Sequence, residues 1–480
     1  MKPLIYTIIE YQSFGADEIA TTLDCGEVKA NKFFKALEDF QKSSEDNSKF
    51  LKHSSKTKLK AQNYVGIIQT PYGTLEILPK CFRETNLAYK KQDHTKESIR
   101  QNKQEQKSKI KIFFELNSFK KQLENDEIQS FALFDTPQKS AQRFLIHCLT
   151  SLKDTPFKQS QISSIDTCNT PLLDVFMQMF CQELLEVCKK GIRHDYVAIE
   201  ENRPYLKGKL LFGGQIRHNL VHKERFYTSS DEYITDIASN RLIKSTLELI
   251  NSKATSHATL TLINQCLEIF EEIPSSGNIE GDFLSCTSSR HFSYYDNLLE
   301  WCKLFLQGNS FSAYSGESKA YALLFPMEKL FESYVAHMFK KHNNGNDKRI
   351  YAQSSSQYLL HSEGDSKLFQ LKPDLILELG EKKIITDTKW KPLKNAEDKK
   401  HGIAQGDLYQ VFAYAHYHQA SEVWLIYPKL YDQKNERDKK DAKMKEIVKN
   451  LEKWNYHYKH ELFEDRKIEV KIFFAPLAFH

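Results

Sequence analysis

Residues 371–391 read LKPDLILELGEKKIITDTKWK. Two apolar runs, LIL at 375–377 and II at 384–385, flank a Gly-Glu-Lys turn signal at 380–382. That is the pattern of a hairpin whose strands lie within a core, one expected over 368–379 and the other over 383–390. Asp374 and Asp387 fall toward the same end of such a hairpin. Asp387 and Lys389 are two residues apart, so both side chains leave the same face of their strand. Acids held between apolar strand residues are generally paired or metal-bound. Two converging carboxylates without thiolate or imidazole suit a hard cation such as Mg²⁺, for which Mn²⁺ can substitute. A lysine beside them can orient a water or offset charge developing on a phosphate. The same residues also fit an ordinary hairpin in which Lys389 forms a salt bridge with one aspartate.

The flanking elements bear on that choice. Upstream, FPMEKLFESYVAHMFKK (325–341) predicts a helix with Pro326 in its first turn and lysines at its end. Glu332 on it could supply a third carboxylate, with Glu328 one turn earlier as a fallback; alone, Glu332 reads as a solvated helical acid. Downstream, a helix over 407–418 places Gln410 and Tyr414 four apart on one face. A third core strand is expected at 422–430, a charged helix at 434–454 and a closing strand at 467–474. Helix, hairpin, helix and strand together make a mixed α/β unit.

Further upstream, 4–11 reads as a strand and NYVGIIQTPYGTLEILPK (63–80) as a hairpin turning at Pro71, Tyr72 and Gly73. Residues 85–109 are dense in Lys, Gln, Glu and Asn with few aliphatics, as in a solvated insertion. Three- and four-residue apolar spacing over 142–189 predicts buried helices, 205–233 reads as extended, and 236–250 as an amphipathic helix. Residues 308–318 read as a linker. The expected organisation is an α+β / α/β multidomain chain. It comprises a β-containing region 1–141, a mainly helical region 142–310 and a C-terminal α/β domain 321–480.

Composition narrows the class. The charge of +5 on 480 residues permits nucleic-acid binding without advertising it. The nine cysteines show no CxxC spacing and suit buried, reduced thiols in a cytoplasmic protein. No apolar run is long enough to span a membrane. No GxxxxGK[ST] occurs, so no nucleotide is expected on this chain. His416, His418, His457 and His460 lack a metal-site context. Lys207, Lys209, Arg217, His218, His222, Lys223 and Arg225, near Phe226 and Tyr227, form a basic run that fits a contact to DNA or protein, or a solvated strand face.

The order Glu332, Pro373-Asp374, Asp387-Thr388-Lys389, Gln410 and Tyr414 resembles the RecB-like nucleases of the PD-(D/E)xK group, whose domain is restriction-endonuclease-like. Over about residues 60–430 the chain is similar to the McrC family. The similarity rests on NYVGIIQTPYGTLEILPK, LKGKL (206–210), SNRLIKSTLELI (239–250), MEKLFESYV (327–335), LKPDLIL, TDTKW and DLYQVFAYA (407–415). The resemblance implies a Mg²⁺-dependent DNA endonuclease subunit. Asp374, Asp387, Glu332 and the Thr388 backbone carbonyl would hold metal, Lys389 would act on the attacking water, and Gln410 and Tyr414 would orient the lysine or a phosphate. It further implies a partner AAA+ GTPase motor in trans, docked by the N-terminal region, and a pairing of nuclease domains within the complex. Two other readings stand beside it: a non-catalytic activator of the motor, and a free-standing RecB-like repair nuclease.

Overall fold

The computed structural model describes residues 4–82, 137–152, 155–158, 165, 170–286, 293–307, 321–341, 348–352, 357–361, 367–379, 382–391, 403–428, 456–458 and 468–475. The expected insertion at 85–109, linker at 308–318 and charged helix at 434–454 lie outside these residues. Elements are numbered in chain order.

The N-terminal part is built on the predicted hairpin. Strands β5 (Tyr64–Thr70) and β6 (Gly73–Leu78) pair antiparallel across Pro71-Tyr72, and β1 (Leu4–Ile9) lies parallel to β6. Every residue of β6 is buried, as a strand covered on both faces requires. Helices α1 (Ala16–Leu23) and α2 (Glu27–Lys42) cover one face with Ile19, Phe33, Leu37 and Phe40. A small sheet of β2 (Ser13–Phe14), β3 (Leu51–Ser55) and β4 (Lys58–Ala61) adds Phe14, Leu51, Leu59 and Ala61 to the same cluster.

The fourth strand of the main sheet comes from far along the chain. Strand β10 (Tyr321–Pro326) pairs antiparallel with β5, Leu323 opposite Ile67 and Phe325 opposite Val65. Gly66 permits this approach: its φ is +132°, and a Cβ there would stand 2.1 Å from the Leu323 carbonyl oxygen. The expected boundary at 321 therefore falls at the first residue of a strand that belongs to the N-terminal sheet. The helix predicted from 325 starts two residues later, as α10 (Met327–Lys341).

The helical part comprises α3 (Pro137–Thr150), α4 (Leu172–Cys188), α6 (Ala238–Asn251), α7 (His257–Ile269) and α9 (Ser293–Leu306), with a short α8 (Ile279–Ser285). Asp174, buried in α4, accepts from the Thr255 amide (3.1 Å), the Thr255 hydroxyl (2.6 Å) and the Ser256 amide (2.9 Å), tying the start of α7 to α4. One continuous apolar cluster joins Val65, Phe144, Phe176, Trp301 and Phe331 to Leu377, Trp390 and Ile426. The eight cysteines among the described residues are free thiols, five of them buried.

An arm leaves this body at residue 195. Strands β7 (Asp195–Arg203), β8 (Lys209–Leu210) and β9 (Phe226–Ile234), with helix α5 (Phe212–Asn219), contribute no residue to the apolar clusters. Polar groups hold it: Arg203 donates to Ser230 (2.9 Å) and Glu232 (3.2 Å), and Asn202 to Asn219 (2.9 Å). Its large apolar side chains face outward, Phe212, Ile216, Leu220 and Val221 being 73%, 66%, 72% and 84% exposed.

The second main sheet has the order β11-β14-β15-β16-β18-β17, with ranges Lys348–Ala352, Leu375–Leu379, Lys382–Thr388, Glu422–Pro428, Ile468–Ala475 and Tyr456–Tyr458. Strands β15, β16 and β18 run parallel, and β14 is antiparallel to β15. Helix α11 (Gln405–Tyr417) covers one face through Val411, Tyr414 and Ala415. The other face joins the central cluster with α10, giving a three-layer α/β arrangement. The single strand expected over 368–379 is two. Strand β13 (Lys367–Leu371) pairs with β12 (Gln357–His361) in a separate sheet. The chain then breaks at Lys372-Pro373, where proline has no amide for a ladder, and re-enters as β14.

Candidate active site

The register of the hairpin sets the site. Leu375 pairs with Thr386, so Asp374, one residue before β14, lies at the level of Asp387 near the end of β15. Asp374 Oδ2 accepts from the Thr388 amide at 2.6 Å and the Thr388 hydroxyl at 2.7 Å. Thr388 thus clamps the first aspartate through two donors, a role that its place between Asp387 and Lys389 did not announce. Asp387 is 2% exposed, and its Oδ2 lies 2.6 Å from Lys389 Nζ. The same ammonium donates to Gln410 Oε1 at 3.0 Å, and Gln410 Nε2 donates to the Tyr414 hydroxyl at 2.9 Å. Asp387, Lys389, Gln410 and Tyr414 therefore form one chain of contacts from β15 to α11. The i, i+4 spacing of Gln410 and Tyr414 on one helical face is what permits it.

Electrostatics follow from burial of like charges. Desolvation pushes the Asp387 carboxyl up to about 7, with the nearby Asp374 charge adding to the rise and Lys389 opposing it. Asp374 is also raised, mainly by burial, against the two Thr388 hydrogen bonds and the Lys389 charge. Burial pulls Lys389 down, but Asp387, Asp407 and Asp374 outweigh it and leave the ammonium favoured. Tyr427, buried on β16, is raised by desolvation and then by Asp407 and Asp387, which places its hydroxyl in the field of the same acids.

Asp407 is the carboxylate that the sequence reading passed over. It lies one turn before Gln410 on α11, its side chain is 15% exposed, and it pairs with Lys391. Its place three residues before Gln410, on the same face, was the available signal. Glu332 is half-buried on α10, whose Phe331 and Tyr334 pack toward Trp390 and Phe144. The charge of Glu328 bears on Glu10 and Tyr11. Among the described residues no three His, Cys, Asp or Glu side chains gather as a metal-binding group. The expected third ligand, Glu332, is thus not brought together with Asp374 and Asp387. The two aspartates still fit a divalent cation: they are hard oxygen donors, one buried and one half-buried, whose mutual repulsion a cation would relieve.

The fold and this pair define a class, a mixed α/β protein with a lysine, one buried and one half-buried aspartate at one end of a central sheet. Residues 59–428 match the family model described as McrBC 5-methylcytosine restriction system component, and the chain belongs to that family. It is 21% identical over 244 residues to the type IV methyl-directed restriction enzyme EcoKMcrBC of Escherichia coli K12, covering 48% of this chain and 68% of that protein. Its fold is similar to a chain of the Thermococcus gammatolerans assembly of McrB AAA+ hexamers with bound McrC. That match has a TM-score of 0.60 at 18% identity and covers 98% of this chain and 94% of the other. Among the described residues no helix is long and apolar enough to cross a membrane.

Proposed function

We propose that this chain is the DNA endonuclease subunit of an McrBC-type restriction complex, hydrolysing phosphodiester bonds at Asp374, Asp387 and Lys389. One observation carries the reading: Lys389 is held between a buried carboxylate at 2.6 Å and Gln410 at 3.0 Å, at the end of a hairpin that places a second, half-buried carboxylate, Asp374, beside it. An ordinary salt bridge needs no second acid beside it whose charge raises the first. It also needs no helix residue to orient the ammonium.

Asp374 and Asp387 would hold the Mg²⁺, or Mn²⁺, which supplies Lewis-acid activation of the phosphate. Lys389 remains protonated and presents its charge to a non-bridging phosphate oxygen as negative charge builds there. Gln410 fixes the direction of Nζ, and Tyr414 fixes Gln410. Thr388 keeps Asp374 from rotating away.

The partner is an AAA+ motor acting in trans, by analogy with the assembly to which the fold is similar, and DNA is the substrate. The arm is the surface that best suits the motor: it has no core of its own, yet exposes Phe212, Ile216, Leu220 and Val221 in one stretch. The decisive experiment is a paired assay on one preparation of the complex with its nucleotide. Lys389→Ala should abolish plasmid cutting, a loss of at least about 10² to 10³-fold, while phosphate release by the motor stays near wild type. Lys389→Arg should not rescue, since a planar guanidinium does not replace a compact ammonium. Unchanged cutting by Lys389→Ala, or robust cutting in EDTA, would remove this site from the reaction.

A further inference from the structure

Trp390 follows Lys389 directly and is the middle residue of a tight turn, Lys391 N donating to Lys389 O at 2.8 Å. On its other side the Lys389 amide donates to Ile426 O at 2.8 Å. The backbone that carries the lysine is thus held by β16 on one side and by the placement of Trp390 on the other. Trp390 is 4% exposed and its ring is fixed by residues distant in sequence. Phe144 of α3 stacks on it at 5.9 Å and 18°, and Phe331 of α10 packs at 5.1 Å. Its indole N–H donates to Glu10 Oε2 at 2.8 Å, a fully enclosed bond across 380 positions of sequence.

Glu10 is placed for this. Its amide donates to Leu78 O (3.0 Å), and its Oε2 accepts a second bond from the Lys80 amide (3.1 Å), so the side chain is locked at the end of β1 and β6. The Lys80 ammonium lies 4.0 Å from Oε1, 5.7 Å from the Trp390 ring centroid and 4.8 Å from that of Tyr11. Among the described residues nothing hydrogen-bonds Oε1. A buried carboxylate with one oxygen unsatisfied is costly, and an apolar side chain would fill the space at less expense. What only an oxygen at this position provides is one acceptor that takes the indole N–H and the Lys80 amide together, tying Trp390 to the end of β6.

We propose that Glu10 is a positioning residue for the nuclease site: through Trp390 it fixes the turn that aims Lys389, so that the N-terminal sheet sets the geometry of cleavage. This rests on the nuclease reading above.

The test uses the full chain in complex with its AAA+ partner, and the full chain alone for spectroscopy. Glu10→Leu should lower the plasmid-cutting rate by up to about 10²-fold, as for an ångström-scale misplacement of a reacting group. The DNA concentration for half-maximal cutting and the motor's nucleotide hydrolysis should stay as in wild type. Glu10→Gln, which keeps an oxygen for the indole, should restore the rate, and Trp390→Phe, which keeps the ring but loses the N–H, should be as slow as Glu10→Leu. With 5-fluorotryptophan incorporated, the ¹⁹F line lost in Trp390→Phe should shift in Glu10→Leu and hold its place in Glu10→Gln. Wild-type cutting by Glu10→Leu overturns the proposal, as does a Glu10→Gln rate equal to that of Glu10→Leu. Loss of hydrolysis together with cutting overturns it too, since Glu10 would then serve the fold alone. Lys389→Ala run in parallel separates the two levels. If it is inactive while Glu10→Leu cuts normally, only the positioning role fails; if it cuts normally, the nuclease reading fails and takes the proposal with it.

Discussion

Lys391 and Asp407 pair across the gap between the end of β15 and the first turn of α11. The pair pins the helix that carries Gln410, one turn on, against the strand that carries Lys389. Asp407 also adds a negative charge felt by Asp387 and by Lys389. Asp407→Asn removes both effects. The Mg²⁺ concentration for half-maximal cutting should rise about 10- to 100-fold, the usual cost of losing a group that orients metal-site residues. Lys391→Met, which removes the cation and keeps the acid, should move it much less. A Mg²⁺ titration unchanged in Asp407→Asn would confine the pair to helix docking.

Asp374, Asp387 and Lys389 are legible in the sequence for a physical reason. The hairpin is local: its register and the shared face of Asp387 and Lys389 follow from alternation within about twenty residues. The Gln410–Tyr414 contact follows from helical spacing in the same way. By contrast β10 finds its partner 252 positions earlier, Tyr321 opposite Gln69, and nothing in YALLFP says which sheet it will join. The break between β13 and β14 is marked only by Pro373, within an otherwise continuous strand-like run. Trp390, the neighbour of the lysine, is oriented by Glu10 across almost the whole described chain, a relation that no window of sequence contains.

Glu10 makes a pH-dependent contribution to stability. Burial raises its carboxyl from 4.5 to about 7, against Lys80 and the Trp390 hydrogen bond. The folded pKa lies above the unfolded one, so the contribution is fully present below about pH 4.5 and is lost as pH rises through 7. The largest change is about 3 kcal/mol, from the difference of the two values at about 1.4 kcal/mol per unit. Glu10→Gln cannot ionise. Its melting temperature should vary less between pH 5 and 7 than that of wild type, with the gap between the two proteins widening in favour of the variant as pH rises. Parallel melting curves across that range would remove Glu10 from the pH response.

The arm offers a test that leaves the nuclease site untouched. Phe212 and Ile216 are 73% and 66% exposed, so replacing both with Asp should cost the isolated chain little stability. If they seat against the motor, each is a candidate anchor whose loss weakens binding by roughly 2 kcal/mol or more. Phe212→Asp/Ile216→Asp should then fail to co-elute with the AAA+ partner and fail to raise its nucleotide hydrolysis, at an unchanged melting temperature. Normal co-elution would move the docking surface elsewhere, the region 1–141 being the first alternative.

The most demanding prediction concerns where the chain can be divided. Cutting before 321 looks natural from the Gly- and Ser-containing sequence at 308–318, yet it would remove β10 from the N-terminal sheet. Strand β5 would become an edge with Val65, Ile67 and Ile68 beside an unpaired backbone, and the buried Leu323, Leu324 and Phe325 would be missing from two apolar clusters. Losing three such side chains forfeits several kcal/mol, at about 1.5–3 kcal/mol each, before the unsatisfied ladder is counted. A fragment of residues 1–310 should therefore aggregate or melt without a cooperative transition. Extending it to 341 restores β10 and returns α10, whose Tyr334 meets Phe144 of α3 at 5.4 Å. Residues 1–341 should be recovered soluble with a cooperative transition. The comparison needs only expression of both fragments, size-exclusion chromatography and thermal melting. A soluble, cooperatively folded 1–310 would show that β10 is dispensable to the sheet and that the chain divides where its sequence first suggested.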